Sequence, residues 1–300
     1  MTDNNPLITV VVPVKNDHRV YRLIESLLHQ TISKDCYEII VVENGSSCLA
    51  SVCINGCGIV HYLHCDKANA ASARNLGLKV ARGRYLLLTD ADCIASHDWI
   101  DRMVHPLKNG LAEIVGGAIL KRESKTFTQR YGITIVNGQY QLNYLPAIWL
   151  PYVVSANAGF VTEKLRGIGG FDEAFISGND VDICYRLGLK GYRITLVPEA
   201  IILHEDCRSV REYSNRFRNY AIYQVLLFAK YKHLSGKRFV FNPYPLEQFL
   251  SAIGKIPRAI VQLLQRDPSL LSILFLQIVE AIGIWSGDIR GSIRYKQLYL

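Results

Sequence analysis

Apolar and polar positions along the chain fall into short blocks whose period switches between strand and helix. Ile8–Val14 is a β-branched apolar run that ends at polar Lys15 and Asn16. Val20, Leu23, Ile24, Leu27 and Leu28 then recur at helical spacing, which predicts an amphipathic helix with one buried stripe. Glu38–Glu43 predicts the next strand, stopped by the turn-forming Asn44-Gly45-Ser46-Ser47. Ile59–Leu63 predicts a third strand, and Ala71–Arg82 a helix with Gly83 placed for a C-terminal cap. Tyr85–Thr89 predicts a fourth strand, and Ser96 a cap for a helix starting near His97.

Alternating helices and nearly all-apolar strands imply a parallel sheet covered on both faces, an α/β fold. Ligands in such sheets bind beyond the carboxyl ends of the strands. Lys15-Asn16, Glu43-Asn44 and Asp90 with Asp92 follow strands directly and are expected to converge on one crevice. After a strand candidate at Glu113–Leu120 the alternation lapses. Residues 121–156 read as irregular structure over the crevice, where Tyr131, Tyr140, Tyr144, Trp149 and Tyr152 suit an acceptor wall and ordinary packing equally. A helix over Asp180–Lys190, stopped by Gly191, and a strand over 192–204 complete this part; the remainder is mainly helical.

Composition narrows the class. Of 300 residues, 49% are hydrophobic and 20% charged, which describes a folded globular chain rather than a disordered one. The net charge of +8 is uneven: 205–300 carries 14 Lys and Arg against 7 Asp and Glu, and the preceding part is nearly neutral. A basic tail suits an anionic membrane surface, or simply a solvated helical face. Arg208, Arg211, Arg216 and Arg218 interleave with aromatic residues, yet no nucleic-acid fold signature accompanies them, so nucleic acid ranks below membrane. Ser269–Ser286 is strongly apolar but holds Gln277 and Glu280, which favours a packed or surface-lying helix over a spanning one. The opening MTDNNPLITVVVPV lacks the pattern of a secretory signal, so a cytoplasmic protein with reduced thiols is expected. Cys48, Cys53, Cys57 and Cys65 lack the paired spacing of a zinc site.

Three groups carry candidate chemistry. Asp90-Ala91-Asp92 follows an apolar strand, and two carboxylates there can share Mn²⁺ or Mg²⁺ with a diphosphate. Asp180, near a helix N-terminus, stays ionised beside the helix dipole and suits a general base; helix capping is its structural alternative. His204 ends an apolar strand and can complete a metal site. Arg74 is placed to pair with a diphosphate in forked geometry.

Taken in order, Val11–Asn16, Val41–Ser47, Ala73–Gly77, Asp90–Asp92, Gly169–Glu173, Asn179–Asp182 and the strand ending at His204 resemble the family 2 glycosyltransferases. The resemblance covers about the first 205 residues. It implies the GT-A fold, a Rossmann-like, mostly parallel sheet with helices on both faces, plus a C-terminal helical extension. Residues 1–207 would be catalytic, with a nucleotide-sugar half of about 1–120 and an acceptor half of about 121–207, followed by a basic helical 208–300. It further implies inverting transfer from a nucleotide-diphosphate sugar, UDP-sugar favoured, to a sugar or lipid-linked hydroxyl, in polysaccharide or glycolipid synthesis; the basic tail and the apolar segment, not the resemblance, suggest the inner face of the cell membrane. Pro13, Val14, Asn16, Glu43, Arg74, Asn75, Asp90, Ala91 and Asp92 would bind the donor. Asp92, Asp90 and His204 would hold the metal, Asp180 would be the base, and Asn157, Gly178 and Asn179 would lie on the acceptor side. Glu43 stands where the family usually has Asp, Asn69 where Gly is common, and Asn179 replaces the usual Glu before the base. A sugar nucleotidyltransferase is disfavoured because Val14–Arg19 contains no glycine to cradle a triphosphate. A non-catalytic binding module is disfavoured because Asp90, Asp92, Asp180 and His204 are all retained.

Overall fold

The structure is a computed structural model that describes residues 6–45, 58–122, 125–132, 143–145 and 148–299. The first elements are β1 (Ile8–Val14), α1 (Val20–Leu28), β2 (Tyr37–Asn44), β3 (Val60–Cys65), α2 (Ala70–Val80) and β4 (Tyr85–Thr89). β5 (Cys93–Ala95), α3 (Trp99–Lys108), β6 (Ile114–Lys121), α4 (Phe127–Tyr131), β7 (Asn143–Leu145) and β8 (Ile148–Tyr152) follow. The chain continues through β9 (Asn157–Val161), α5 (Thr162–Arg166), α6 (Asn179–Gly188), β10 (Ile194–His204), α7 (Val210–Ser235), α8 (Tyr244–Leu264) and α9 (Ser269–Tyr295). They divide into two compact units. One comprises Met1–Lys121, Val136–Tyr144 and Leu150–His204; the other comprises Arg122–Ile135, Leu145–Trp149 and Glu205–Leu300.

The first unit is built on an eight-stranded sheet of order β3-β2-β1-β4-β9-β6-β10-β5. β3, β2, β1 and β4 run parallel, as do β6 and β10. Both faces are covered, and the period-2 geometry of a strand shows it directly. Ile8, Val10, Val12 and Val14 join the core beneath α1 and α3, whereas Val11 joins the opposite core with Ala71 and Ala73 of α2 and Ile183 and Leu187 of α6. α1 buries Val20, Leu23, Ile24 and Leu27, the stripe its sequence spacing predicts. Each fully buried leucine there contributes roughly 1.5–3 kcal/mol.

β9 falls outside the strands that the periodicity predicts, and two local readings are corrected. β9 is antiparallel to both β4 and β6, so one reversed strand sits in the middle of the sheet. Gly83 is not a helix cap: α2 ends at Val80, and a Cβ at Gly83 would lie 2.4 Å from the Thr9 backbone nitrogen. The glycine is needed for this close approach to β1, where its N–H donates to Thr9 Oγ1 at 2.9 Å. Ser96 does not cap α3, which begins at Trp99; its hydroxyl bonds Asp98 instead. β10 also carries a register shift between Val197 and Ile201, around Pro198, which has no N–H for the ladder.

The second unit is helical. α9 packs along α7 and α8, and glycines set the closeness of α7: a Cβ at Gly287 would come within 2.4 Å of the Arg218 carbonyl oxygen. α9 is long and apolar enough to cross a membrane by length and composition, and 44% of its most apolar stretch is buried within the protein.

Candidate active site

The site forms at the carboxyl edge of β1 and β4, where successive strand connections leave in opposite directions and open a crevice. Asp90 leaves β4 and a tight turn closed by Cys93 N–H to Asp90 O, 3.0 Å, carries the chain directly into β5. β5 pairs antiparallel with β10, setting Cys93 opposite His204. That register brings His204 Nε2 to 3.6 Å from Asp92 Oδ2.

Arg19 reaches the same carboxylate from the loop after β1. Its NH2 lies 3.6 Å from Asp92 Oδ2 and is held by Asp17, whose carboxylate accepts from Arg19 Nε at 2.8 Å and from NH2 at 2.6 Å. Burial pushes the Asp92 carboxyl above its ordinary range; His204 and Arg19 draw it back down, and Asp90 and Asp17 oppose them. Neither Arg19 nor Asp17 was singled out from the sequence. The available signal was a basic residue just past the first strand, in a segment notable mainly for lacking glycine.

Arg74 is the second organiser. It is 4% exposed on α2, and its guanidinium donates from NH2 to Asp90 Oδ1 at 2.8 Å and from NH1 to Asn179 Oδ1 at 2.9 Å. Its Nε is buried without a hydrogen-bond partner, and the group stacks 5.9 Å from the Phe171 ring. The fork thus ties the end of β4 to the start of α6. Gly178, at φ 73°, forms the N-terminal boundary of α6 in a left-handed conformation that favours glycine. Asp180 sits in the first turn and accepts from Ser155 N–H at 3.2 Å and Val181 N–H at 3.0 Å. Burial raises the Asp180 carboxyl, while these backbone donors and Arg74 pull it down. Tyr152 stands near it, its phenol raised by burial and by the Asp180 charge.

The remaining candidates separate. Pro13, Val14, Glu43 and Ala91 line the same sheet edge and are buried, with Val14 opposite Glu43 in the parallel register. Glu43 accepts from the Tyr62 hydroxyl. Asn16 is exposed just past β1, at φ 48°. Asn75 is committed elsewhere: its amide bonds Phe171 O at 2.9 Å and Glu173 Oε1 at 3.1 Å, and accepts from Phe171 N–H at 2.7 Å. Asn157, expected on the acceptor side, is fully buried and braces the core. Its Oδ1 accepts from Trp99 Nε1 at 2.8 Å, and its Nδ2 donates to Ala118 O and Ala200 O, both at 2.8 Å. Asp182 is buried and paired with Arg186 at 2.8 Å. Among the described residues, no three His, Cys, Asp or Glu side chains gather in coordinating geometry, since Asp90 turns to Arg74. Ser46, Ser47, Cys48, Cys53, Cys57 and Tyr140, and the side chains of Tyr144 and Trp149, lie outside the described residues.

A family model described as glycosyl transferase family 2 matches residues 9–169, more than half of the chain. The chain belongs to glycosyl transferase family 2. The match spans β1 to the end of α5, including Arg74, Asp90 and Asp92, and stops before Asp180 and His204. This family 2 chain is 30% identical over 217 residues to the pre-mycofactocin glycosyltransferase of Mycobacterium tuberculosis, covering 70% of this chain and 45% of that protein. It therefore spans less than half the length of that relative. It is 26% identical over 215 residues to the glycosyltransferase AglE of Haloferax volcanii, covering 68% of each. A mannosyltransferase from Pyrobaculum calidifontis, solved in complex with GDP-Man and Mn²⁺, superposes with a TM-score of 0.63 at 17% identity over 96% of this chain and 88% of that one. The superposition shows a shared fold, and the glycosyltransferase domain of this chain has the GT-A architecture.

Proposed function

We propose that this family 2 glycosyltransferase moves a sugar, with inversion, from a nucleotide-diphosphate sugar to an acceptor hydroxyl. The observation that carries the reading is the Arg74 fork. It joins the carboxylate edge at Asp90 to Asn179, the neighbour of Asp180, which supports donor and acceptor chemistry at one site. Its unpartnered, buried Nε–H is a donor suited to an anionic oxygen.

Asp92 and His204 are groups a divalent cation takes, and Asp90 would join them only by leaving its bond to Arg74. Asp92 is a carboxylate whose ionisation burial opposes, with an imidazole 3.6 Å away, and Asp90 lies two residues earlier. Mn²⁺ or Mg²⁺ would be held by Asp92, with Asp90 and His204 completing the protein's share. Bound there, it would stabilise the negative charge of the departing diphosphate. Arg19 and Arg74 supply further positive charge at the same edge. Pro13, Val14, Asn16, Glu43 and Ala91 would shape the nucleotide pocket. Asp180 would take the proton from the acceptor hydroxyl as its oxygen bonds the anomeric carbon and the bond to the diphosphate breaks. Its raised carboxyl suits a base that must hold a proton briefly.

UDP-sugar is the first donor to try, with GDP-sugar close behind on the strength of the Pyrobaculum relative's complex. The acceptor is a sugar or lipid-linked alcohol in glycan synthesis at a cytoplasmic membrane face, with residues 1–207 catalytic and 208–300 meeting the anionic surface. Calorimetric titration with UDP, GDP and dTDP, with and without Mn²⁺, tests the core of this reading. Cation-dependent binding of one nucleotide, lost in Asp92→Ala, is expected. Binding indifferent to both the cation and Asp92 would sink it.

A further inference from the structure

Small residues face inward where α8 meets α9, and both helices leave large apolar side chains exposed. α8 meets α9 through alanines: Ala252 and Ala259 are fully buried and cluster with Leu274. Leu246, Leu250, Ile253, Ile260 and Leu264 recur three, four or seven residues apart and are all exposed, Leu264 at 81%. α9 carries a second exposed row of Leu271, Phe275, Ile282, Ile289 and Ile293, the last at 75%.

The two helices are antiparallel. Tyr244 near the start of α8 donates to Glu280 Oε1 at 2.7 Å, and Gln277 Nε2 donates to Gln248 Oε1 at 2.5 Å, so earlier residues of α8 meet later residues of α9. Successive helical residues turn by about 100°. On that geometry each row lies off the mutual contact in the same rotational sense, and antiparallel packing brings both rows to one side of the hairpin. Arg290 and Arg294 of α9, both exposed, follow the α9 row outward and fall on the outer flank of this face. Between 237 and 296 all eight Lys and Arg residues are exposed, against two exposed carboxylates, Glu247 and Asp267.

We propose that this face docks on a bilayer containing anionic lipid, the two rows sinking to the acyl boundary and the flanking arginines meeting headgroup phosphates. The proposal deepens the membrane-facing reading of 208–300 and rests on that part of it alone, not on the donor chemistry. Spanning is excluded by the other sides of α9, where Glu280 and Asp288 are buried against neighbouring helices rather than offered to lipid. A second copy is disfavoured because a twofold contact would set the same basic flanks against themselves.

The test is sedimentation of the full chain with vesicles of phosphatidylcholine alone, and of phosphatidylcholine mixed with phosphatidylglycerol. Binding to the mixed vesicles only, weakening as salt rises, is expected. Ile282→Asp combined with Leu250→Asp should weaken partitioning by about tenfold or more. Arg290→Glu with Arg294→Glu should cost roughly fivefold per charge removed, and this variant leaves the apolar rows intact. Both variants should bind nucleotide like the parent, which separates loss of docking from failure of the fold or of the proposed chemistry. Failure of the parent chain to sediment, or equal sedimentation of all variants, would overturn the proposal. So would self-association in sedimentation equilibrium that Leu250→Asp abolishes, since a second copy would then cover the face.

Discussion

His204 Nε2 lies 3.6 Å from Asp92 Oδ2 because a three-residue strand, β5, reverses direction and pairs with the end of β10. Arg19 approaches the same oxygen at 3.6 Å from the loop after β1. Three distant parts of the chain therefore converge on one carboxylate. The arginine and the imidazole draw down a carboxyl that burial pushes up.

Asp180→Asn should lower turnover by about 10²–10⁴-fold while leaving nucleotide binding nearly unchanged. Because burial raises this carboxyl, the acid limb of kcat/KM should lie above the ordinary carboxylate range, with activity falling as pH drops through it. A pH–rate profile checks this, and an unchanged acid limb in a still-active Asp180→Asn variant would remove Asp180 as the base.

Arg74→Ala should destabilise the first unit by about 1–3 kcal/mol, because buried Asn179 loses its donor while Asp90 keeps water on its exposed side. Arg74→Lys should not restore nucleotide binding, since one ammonium cannot reproduce two divergent N–H bonds. Urea denaturation together with nucleotide titration separates these two effects.

Asn157→Ala should cost on the order of 3 kcal/mol in urea unfolding, as Trp99 Nε1, Ala118 O and Ala200 O lose their partner inside the core. Its effect should fall on stability and not selectively on KM for the acceptor. A selective rise in that KM with unaltered stability would restore Asn157 to the acceptor side.

Asp288 provides a pH signature in the helical unit. Burial pushes its carboxyl up to about 7 from 3.8, and only Oδ2 is bonded, by Asn242 Nδ2 at 3.2 Å. A carboxyl raised in the folded state holds its proton more tightly than in the unfolded chain. Its contribution is therefore fully present below the unfolded value and is lost as pH rises from about 4 to about 7. Asp288→Asn should remove this slope and raise stability above neutral pH by on the order of 2 kcal/mol. Thermal melts across that range, compared with the parent, provide the measurement.

Much of the fold was legible because local periodicity reports burial. β1 and β4 begin and end where their apolar runs do, and the α1 stripe is the one buried. Strand direction was not legible. β9 opens on polar Asn157, contains Gly159 and is not predicted as a strand, and only its pairing with β4 and β6 reveals that it runs the other way. Gly83 read as a helix end because glycine commonly stops helices, whereas here it admits a neighbouring strand.

By itself the sequence determined which residues could form buried strands and helices, and that carboxylates, an arginine and a histidine follow them in the order of family 2. Those properties depend on residue type and near neighbours along the chain. Tertiary structure alone decided that Arg74 bridges Asp90 and Asn179, that Arg19 joins Asp92, and that Asn157 and Asn75 spend their amides on the scaffold. Hydrogen-bond partners far apart in the chain are chosen by strand order and register, and for a strand residue such as Asn157 a one-residue slip would turn the side chain to the opposite face.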